Sequence, residues 1–166
     1  MCARALYIEG CRNGIGQRTI AAHDFFTDLM TTALQPNEIL TSIEVSKLAP
    51  HTGSAYAKMH QQASGFAIVG VASIVSLDGA GKVSRVRIGV TGVTSVSYRA
   101  LRAEETLLGK SPDANAIAEA SAHAAESPRG DDALADIHAS ANYRREMAKV
   151  YAQRSLEKAV ERAGAK

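Results

Sequence analysis

The stretch Ala67-Ile68-Val69-Gly70-Val71-Ala72-Ser73-Ile74-Val75-Ser76-Leu77, then Asp78-Gly79-Ala80-Gly81, then Lys82-Val83-Ser84-Arg85-Val86-Arg87-Ile88-Gly89-Val90, decides the fold class. The first part is a long apolar run rich in Val and Ile. The four residues after it are turn formers that reverse the chain. The last part alternates, with Arg85 and Arg87 outward and Val86 and Ile88 inward, as a strand with one wet face requires. A further extended segment, Ser54 to Met59, precedes them, so the three read as an antiparallel meander.

Downstream the pattern turns helical. Ser97 is placed to cap a helix that Gly109 ends at its C′ position. Ser111 and Pro112 read as N-cap and first helical residue of an alanine-rich helix reaching about Glu126. Ser127 to Ile137 is a polar loop. A long helix follows from about Ser140 to Ala163, with Tyr143, Met147, Val150 and Leu156 among its apolar positions. Strands first and helices afterwards predict an α+β fold, a three- to four-stranded antiparallel sheet with three helices packed on one face.

Upstream, Leu48 to Gly53 carries Pro50 and Gly53 and reads as a linker, dividing the chain into residues 1–50 and 51–166. Within the first part, Ala5 to Gly10 is a short strand, Arg12-Asn13-Gly14 a reversal, and Arg18-Thr19-Ile20 the returning strand. A lone hairpin is marginal in water, so this segment is expected to belong to something larger. Asp24 is placed to cap a helix with Phe25, Leu29 and Ala33 as its apolar stripe, broken at Pro36. Leu40 to Val45 reads as a strand.

The 166 residues carry 19 basic and 17 acidic side chains, a formal charge of +2. That balance, without a clustered basic face, argues against a nucleic-acid binder. Cys2 and Cys11 form no CxxC pair and read as reduced thiols in a cytoplasmic protein. No window suits a transmembrane helix or a signal peptide. His23, His51, His60, His123 and His138 lack metal-ligand spacing, so no metal site is expected. Gly14-Ile15-Gly16 begins a glycine-rich loop, but a third glycine and a helix are missing, so it reads as turn chemistry. No Gly-x-Ser-x-Gly elbow is present, and no catalytic residue is nominated. Arg144, Arg145, Lys149 and Arg154 read as a solvated helix face with local pairs, for example to Glu146. The residues alone stop at an α+β domain with part of a second.

Three blocks carry a resemblance. The first runs Arg18-Thr19-Ile20-Ala21-Ala22-His23-Asp24-Phe25-Phe26, continuing through Thr32-Ala33-Leu34-Gln35-Pro36-Asn37-Glu38-Ile39-Leu40-Thr41-Ser42-Ile43. The second is Gly53 to Lys58 with Ala63-Ser64-Gly65-Phe66-Ala67-Ile68-Val69. The third is Asp136-Ile137-His138-Ala139-Ser140-Ala141-Asn142-Tyr143-Arg144-Arg145, with Arg154-Ser155-Leu156 further on. Together, in this order, they resemble the C-terminal part of the medium, FAD-binding subunit of molybdenum hydroxylases, the class that includes carbon monoxide and xanthine dehydrogenases.

The resemblance implies that residues 1–50 are the tail of an FAD-binding domain and 51–166 the flavoprotein's C-terminal domain. It implies electron transfer from iron–sulfur clusters through FAD to an acceptor, beside a molybdopterin-binding large subunit and a 2Fe-2S small subunit. By position it makes Ile39 and Leu40 residues packed near the flavin, Lys58 a cation at the isoalloxazine edge, and Phe66 the aromatic beside the ring. Read without it, Ile39 and Leu40 are equally core residues and Lys58 an exposed strand residue.

Two departures stand out. His60, Gln61 and Gln62 replace arginines of the family pattern, and Gly65 replaces an aspartate, so charge is lost beside the flavin edge. The family's pyrophosphate-binding motifs, A-G-G-x-S/T and T-I-G-G-N, occur nowhere in this sequence. The expectation is that this chain alone does not hold FAD tightly. It would be a fragment, a split-gene product, or a chain whose partner supplies the glycine-rich half. The alternative expectation is a non-enzymatic interaction module left from a truncated flavoprotein subunit.

Overall fold

A computed structural model describes residues 7–12, 16–128, 130 and 132–164. The chain divides into two compact units, Met1–Lys47 and Leu48–Lys166.

In the first unit, β1 (Tyr7–Arg12) lies between β2 (Gly16–Ala21) and β5 (Glu38–Glu44), antiparallel to both. The expected hairpin is present and β5 gives it a third strand; its reversal at Asn13 and Gly14 lies outside the described residues. The helix expected after Asp24 does not form. α1 (Ala22–Phe25) is a single turn, followed by the small hairpin of β3 (Phe26–Asp28) and β4 (Thr31–Thr32). Local chemistry favours the turn. Asp28 Oδ1 accepts the Leu29 amide at 2.7 Å, and Thr31 donates its hydroxyl to the Leu29 carbonyl at 3.0 Å. Such side-chain bonds and β-branched threonines compete with a helical ladder. Phe25 is buried with Ile20 against Ala33 and Leu34, whereas Leu29 is exposed. Arg18 pairs with the buried Glu38 carboxylate at 2.7 Å, and the Gln35 amide donates to the same group at 2.8 Å, which ties β2 to the start of β5.

The second unit is α+β. Its sheet has the order β6 (Thr52–His60), β7 (Ala67–Leu77), β8 (Val83–Thr91), β9 (Tyr98–Arg99), all neighbours antiparallel. Three helices, α2 (Leu101–Leu107), α3 (Ala114–Ala122) and α4 (Ala141–Gly164), complete it. Val69, Val71 and Val75 of β7 and Val86, Ile88 and Val90 of β8 are buried in one core with Leu107, Ala148, Ala152, Leu156 and Ala159 of the helices. Arg85 and Arg87 face outward as expected.

Boundaries differ where local bonds decide them. Gly53 is not in the linker but inside β6, because strand pairing with β7 begins at Thr52. Ser97 caps nothing: Tyr98 and Arg99 pair with β8, Tyr98 donates to the Ala124 carbonyl at 3.0 Å, and α2 starts only at Leu101. Burial and the Asp132 carboxylate push the Tyr98 phenol up, against a smaller effect of Arg145. The cap of α3 is Asp113, whose carboxylate accepts the Ala116 amide, and not Ser111. That helix ends at Ala122, short of Glu126.

Of the apolar positions expected on α4, Leu156 is fully buried and Met147 packs against the core, but the other two do not. Tyr143 and Val150 are exposed, and the buried line is Arg144, Ala148, Ala152, Ser155, Leu156, Ala159 and Ala163. Close approach explains it. A Cβ on Gly53 would overlap the Ala159 carbonyl oxygen and come within 2.5 Å of the Ala163 amide nitrogen. Helix backbone therefore lies directly on β6, leaving room only for small side chains. Ser73 of β7 and Ser155 of α4 satisfy each other at 2.6 Å inside this contact. No described helix is long and apolar enough to cross a membrane.

Candidate functional site

The β6–β7 connection is where the second unit presents its sequence-predicted site residues. The ladder runs from Thr52 opposite Ser76 to Lys58 opposite Gly70, then shifts register at Met59 and His60. The chain beyond is closed by its own bonds: the Gln61 amide donates to the Phe66 carbonyl at 2.9 Å and the Gly65 amide to the Gln61 carbonyl at 2.8 Å. The Gln61 side chain also accepts the Ser64 amide. Gly65 sits at φ +71 with open space where a Cβ would stand. A positive φ of this kind is one that glycine adopts without strain.

Lys58 and Phe66 are brought together here. The Lys58 ammonium donates to the Gly65 carbonyl at 2.9 Å, next to Phe66 in the chain. Phe66 is 79% exposed, an unusual state for a large aromatic and one that offers a flat apolar face to a ligand. Ile39 and Leu40 belong to the first unit, on β5, where Ile39 pairs with Cys11 and Leu40 with Gly10. At 68% and 40% exposed, neither is a core residue of the described chain.

In the second unit, Lys58 and Phe66 are of the kind that could hold one part of a flavin. An exposed ring, a cation tied beside it and an open backbone turn suit the flank of the isoalloxazine system. A pyrophosphate is cradled by the backbone amides of glycine-rich loops, and the A-G-G-x-S/T and T-I-G-G-N loops of the family pattern are not in this sequence. A cleft lined by Ala122, Ser127, Arg145 and Lys149 contains none of the four predicted residues, and its Lys149 is paired with Glu146 at 2.7 Å. No group of three or more His, Cys, Asp or Glu suited to a metal is found among the described residues.

One group that sequence reading placed in solvent is buried. Arg144 is 4% exposed. Its Nη1 donates to the carbonyls of Ile68 at 2.6 Å and Gly92 at 2.7 Å, and its Nη2 to Asp136 Oδ2 at 2.7 Å. Asp136 Oδ1 accepts the amides of His138 and Ala139. Held by the guanidinium first and these amides next, the Asp136 carboxyl is pulled down to about 2. The signal for Arg144 was its position: it stands four residues before Ala148 and eight before Ala152, in line with the buried stripe of α4.

The model of the CO dehydrogenase flavoprotein C-terminal domain matches residues 54–159. The 6-hydroxypseudooxynicotine dehydrogenase complex subunit alpha of Paenarthrobacter nicotinovorans is 34% identical over 89% of this chain and 49% of its own length. The carbon monoxide dehydrogenase medium chain of Afipia carboxidovorans is 32% identical over 89% of this chain and 50% of its own. The solved carbon monoxide dehydrogenase of Hydrogenophaga pseudoflava superimposes with a TM-score of 0.85 at 30% identity, over 95% of this chain and 53% of that one. The chain thus spans about half the length of the curated relatives it matches. The family model covers more than half of the chain, which therefore belongs to the CO dehydrogenase flavoprotein C-terminal domain family.

Proposed function

We propose that this chain is the C-terminal part of the FAD-binding medium subunit of a cytoplasmic molybdenum hydroxylase. Residues 1–50 are then the end of an FAD-binding domain, and residues 51–166 the C-terminal domain that flanks the flavin. Its partners are a molybdopterin-binding large subunit, a 2Fe-2S small subunit, and a segment or separate chain carrying the glycine-rich cradle. The carrying observation is the family match over residues 54–159, in which the β6–β7 loop sets Lys58 beside an exposed Phe66.

When bound, FAD supplies the redox chemistry between iron–sulfur clusters and an acceptor. The residues of this chain orient it. Phe66 covers one flank of the ring and excludes water. Lys58 fixes a positive charge where negative charge accumulates on reduction, an interaction that strengthens as water leaves. Ile39 and Leu40, exposed on β5 of the first unit, keep the flavin-packing role that the resemblance gives them.

The test is an equilibrium titration of the purified chain with FAD, read by flavin fluorescence. A weak, saturable quench that dialysis reverses is expected. Phe66→Ala should weaken it by roughly tenfold, the order of one lost aromatic contact. A quench indifferent to Phe66→Ala and Lys58→Ala would contradict the assignment.

A further inference from the structure

We propose that Arg144, held by Asp136, is a positioning residue that fixes the Lys58–Phe66 loop in the shape that receives a flavin ring. This rests on the flavin reading above and adds to it the group that sets the loop.

The β7–β8 ladder ends with Gly70 opposite Thr91. Ile68 and Gly92 lie just past that pair, where regular pairing no longer supplies donors. Arg144 Nη1 donates to both of their carbonyls, so a side chain takes over where the ladder stops. Gly92 lies at φ +82, and a Cβ there would overlap the Ile68 carbonyl oxygen. The two strand ends are thus pressed together with the guanidinium joined to both. Phe66 is two residues before Ile68. The loop closes on itself through Gln61, Gly65 and Phe66, so its orientation is set by where its strand ends are anchored.

Asp136 completes the device from the other side. Its carboxylate receives Arg144 Nη2 and the two amides of the 136–139 turn, just before the first turn of α4. Four segments therefore meet at one guanidinium: the entry to β7, the exit of β8, the 136–139 turn and α4. A lysine cannot replace it. An ammonium is a compact charge without the planar fork that reaches three acceptors in divergent directions.

The test uses the full chain with Arg144→Lys and Asp136→Asn, both of which keep side-chain bulk. Amide exchange is followed over 61–68 and over the strand interiors 71–76 and 84–90, with the FAD titration in parallel. The expected result is exchange over 61–68 faster by about tenfold, strand interiors unchanged, and a weaker quench in both variants. Equal acceleration in all three segments would make Arg144 a general stability residue and overturn the role. An unchanged loop in folded variants would overturn it as well. Absence of any FAD response in the wild-type chain sinks the flavin reading and this role together. A Phe66-dependent response that survives both substitutions sinks this role alone.

Discussion

Gly53→Val is expected to destabilise the second unit by about 3 kcal/mol or more, the upper end of overpacking costs. The reason is what the new side chain would meet. Its Cβ alone would overlap the Ala159 carbonyl oxygen and crowd the Ala163 nitrogen and the Arg162 carbonyl carbon. All three are helix backbone, which cannot swing aside as a flexible side chain can. Relief requires lifting the C-terminal half of α4 from β6, which breaks contacts of the fully buried Ala159 and Ala163. Chemical denaturation measures this directly. Gly79→Ala is the control, since a Cβ there meets nothing within 4 Å, and it should stay within about 0.5 kcal/mol of wild type. Wild-type stability for Gly53→Val would mean that α4 does not lie on β6 as described.

Leu156→Ala should cost about 2–5 kcal/mol, the range for truncating a fully enclosed leucine. Leu156 has no exposed surface and is the largest fully buried side chain on α4. Its neighbours along the buried line are alanines and serine, which cannot reach into the space it leaves. The same change at Val150, which is 37% exposed, should cost less than about 1 kcal/mol. Denaturant midpoints compared at equal slope separate the two sites. Equal losses at Leu156 and Val150 would contradict the assigned face of α4.

These two substitutions mark where sequence reading worked and where it failed. β7 was legible as a long run rich in Val and Ile, and β8 because its Val and Ile alternate with arginines at the spacing of a half-buried strand. The length of α4 was legible too. Its buried face was legible only in part: Leu156 is buried as expected, but Tyr143 and Val150 outrank alanine in hydrophobicity while packing distance selects against their size. That selection comes from Gly53, about a hundred residues away in sequence, and no local pattern announces it. Arg144 was misplaced for a related reason: a charged side chain on a helix ordinarily faces water, and only its alignment with Ala148 and Ala152 argues otherwise. The helix expected over Phe25 to Ala33 failed because apolar spacing was weighed above the turn chemistry of Asp28 and Thr31.

The candidate site divides the same way. Spacing nominated none of Ile39, Leu40, Lys58 and Phe66; the resemblance did. Geometry then added what neither gave. Lys58, just past which the β6–β7 register shifts, donates to the Gly65 carbonyl, next to Phe66 in the chain. Ile39 and Leu40 are exposed on β5, as surface awaiting cover would be. One experiment addresses the proposed flavin role of all four as a whole.

That experiment is the visible absorption spectrum of this chain co-purified with the N-terminal half of a CO dehydrogenase medium chain, co-expressed as a separate polypeptide. The account predicts a yellow complex with flavin absorbance near one per pair, against a nearly colourless chain when purified alone. Stoichiometric FAD held by this chain alone, or a co-purified pair that stays colourless with added FAD, would contradict it.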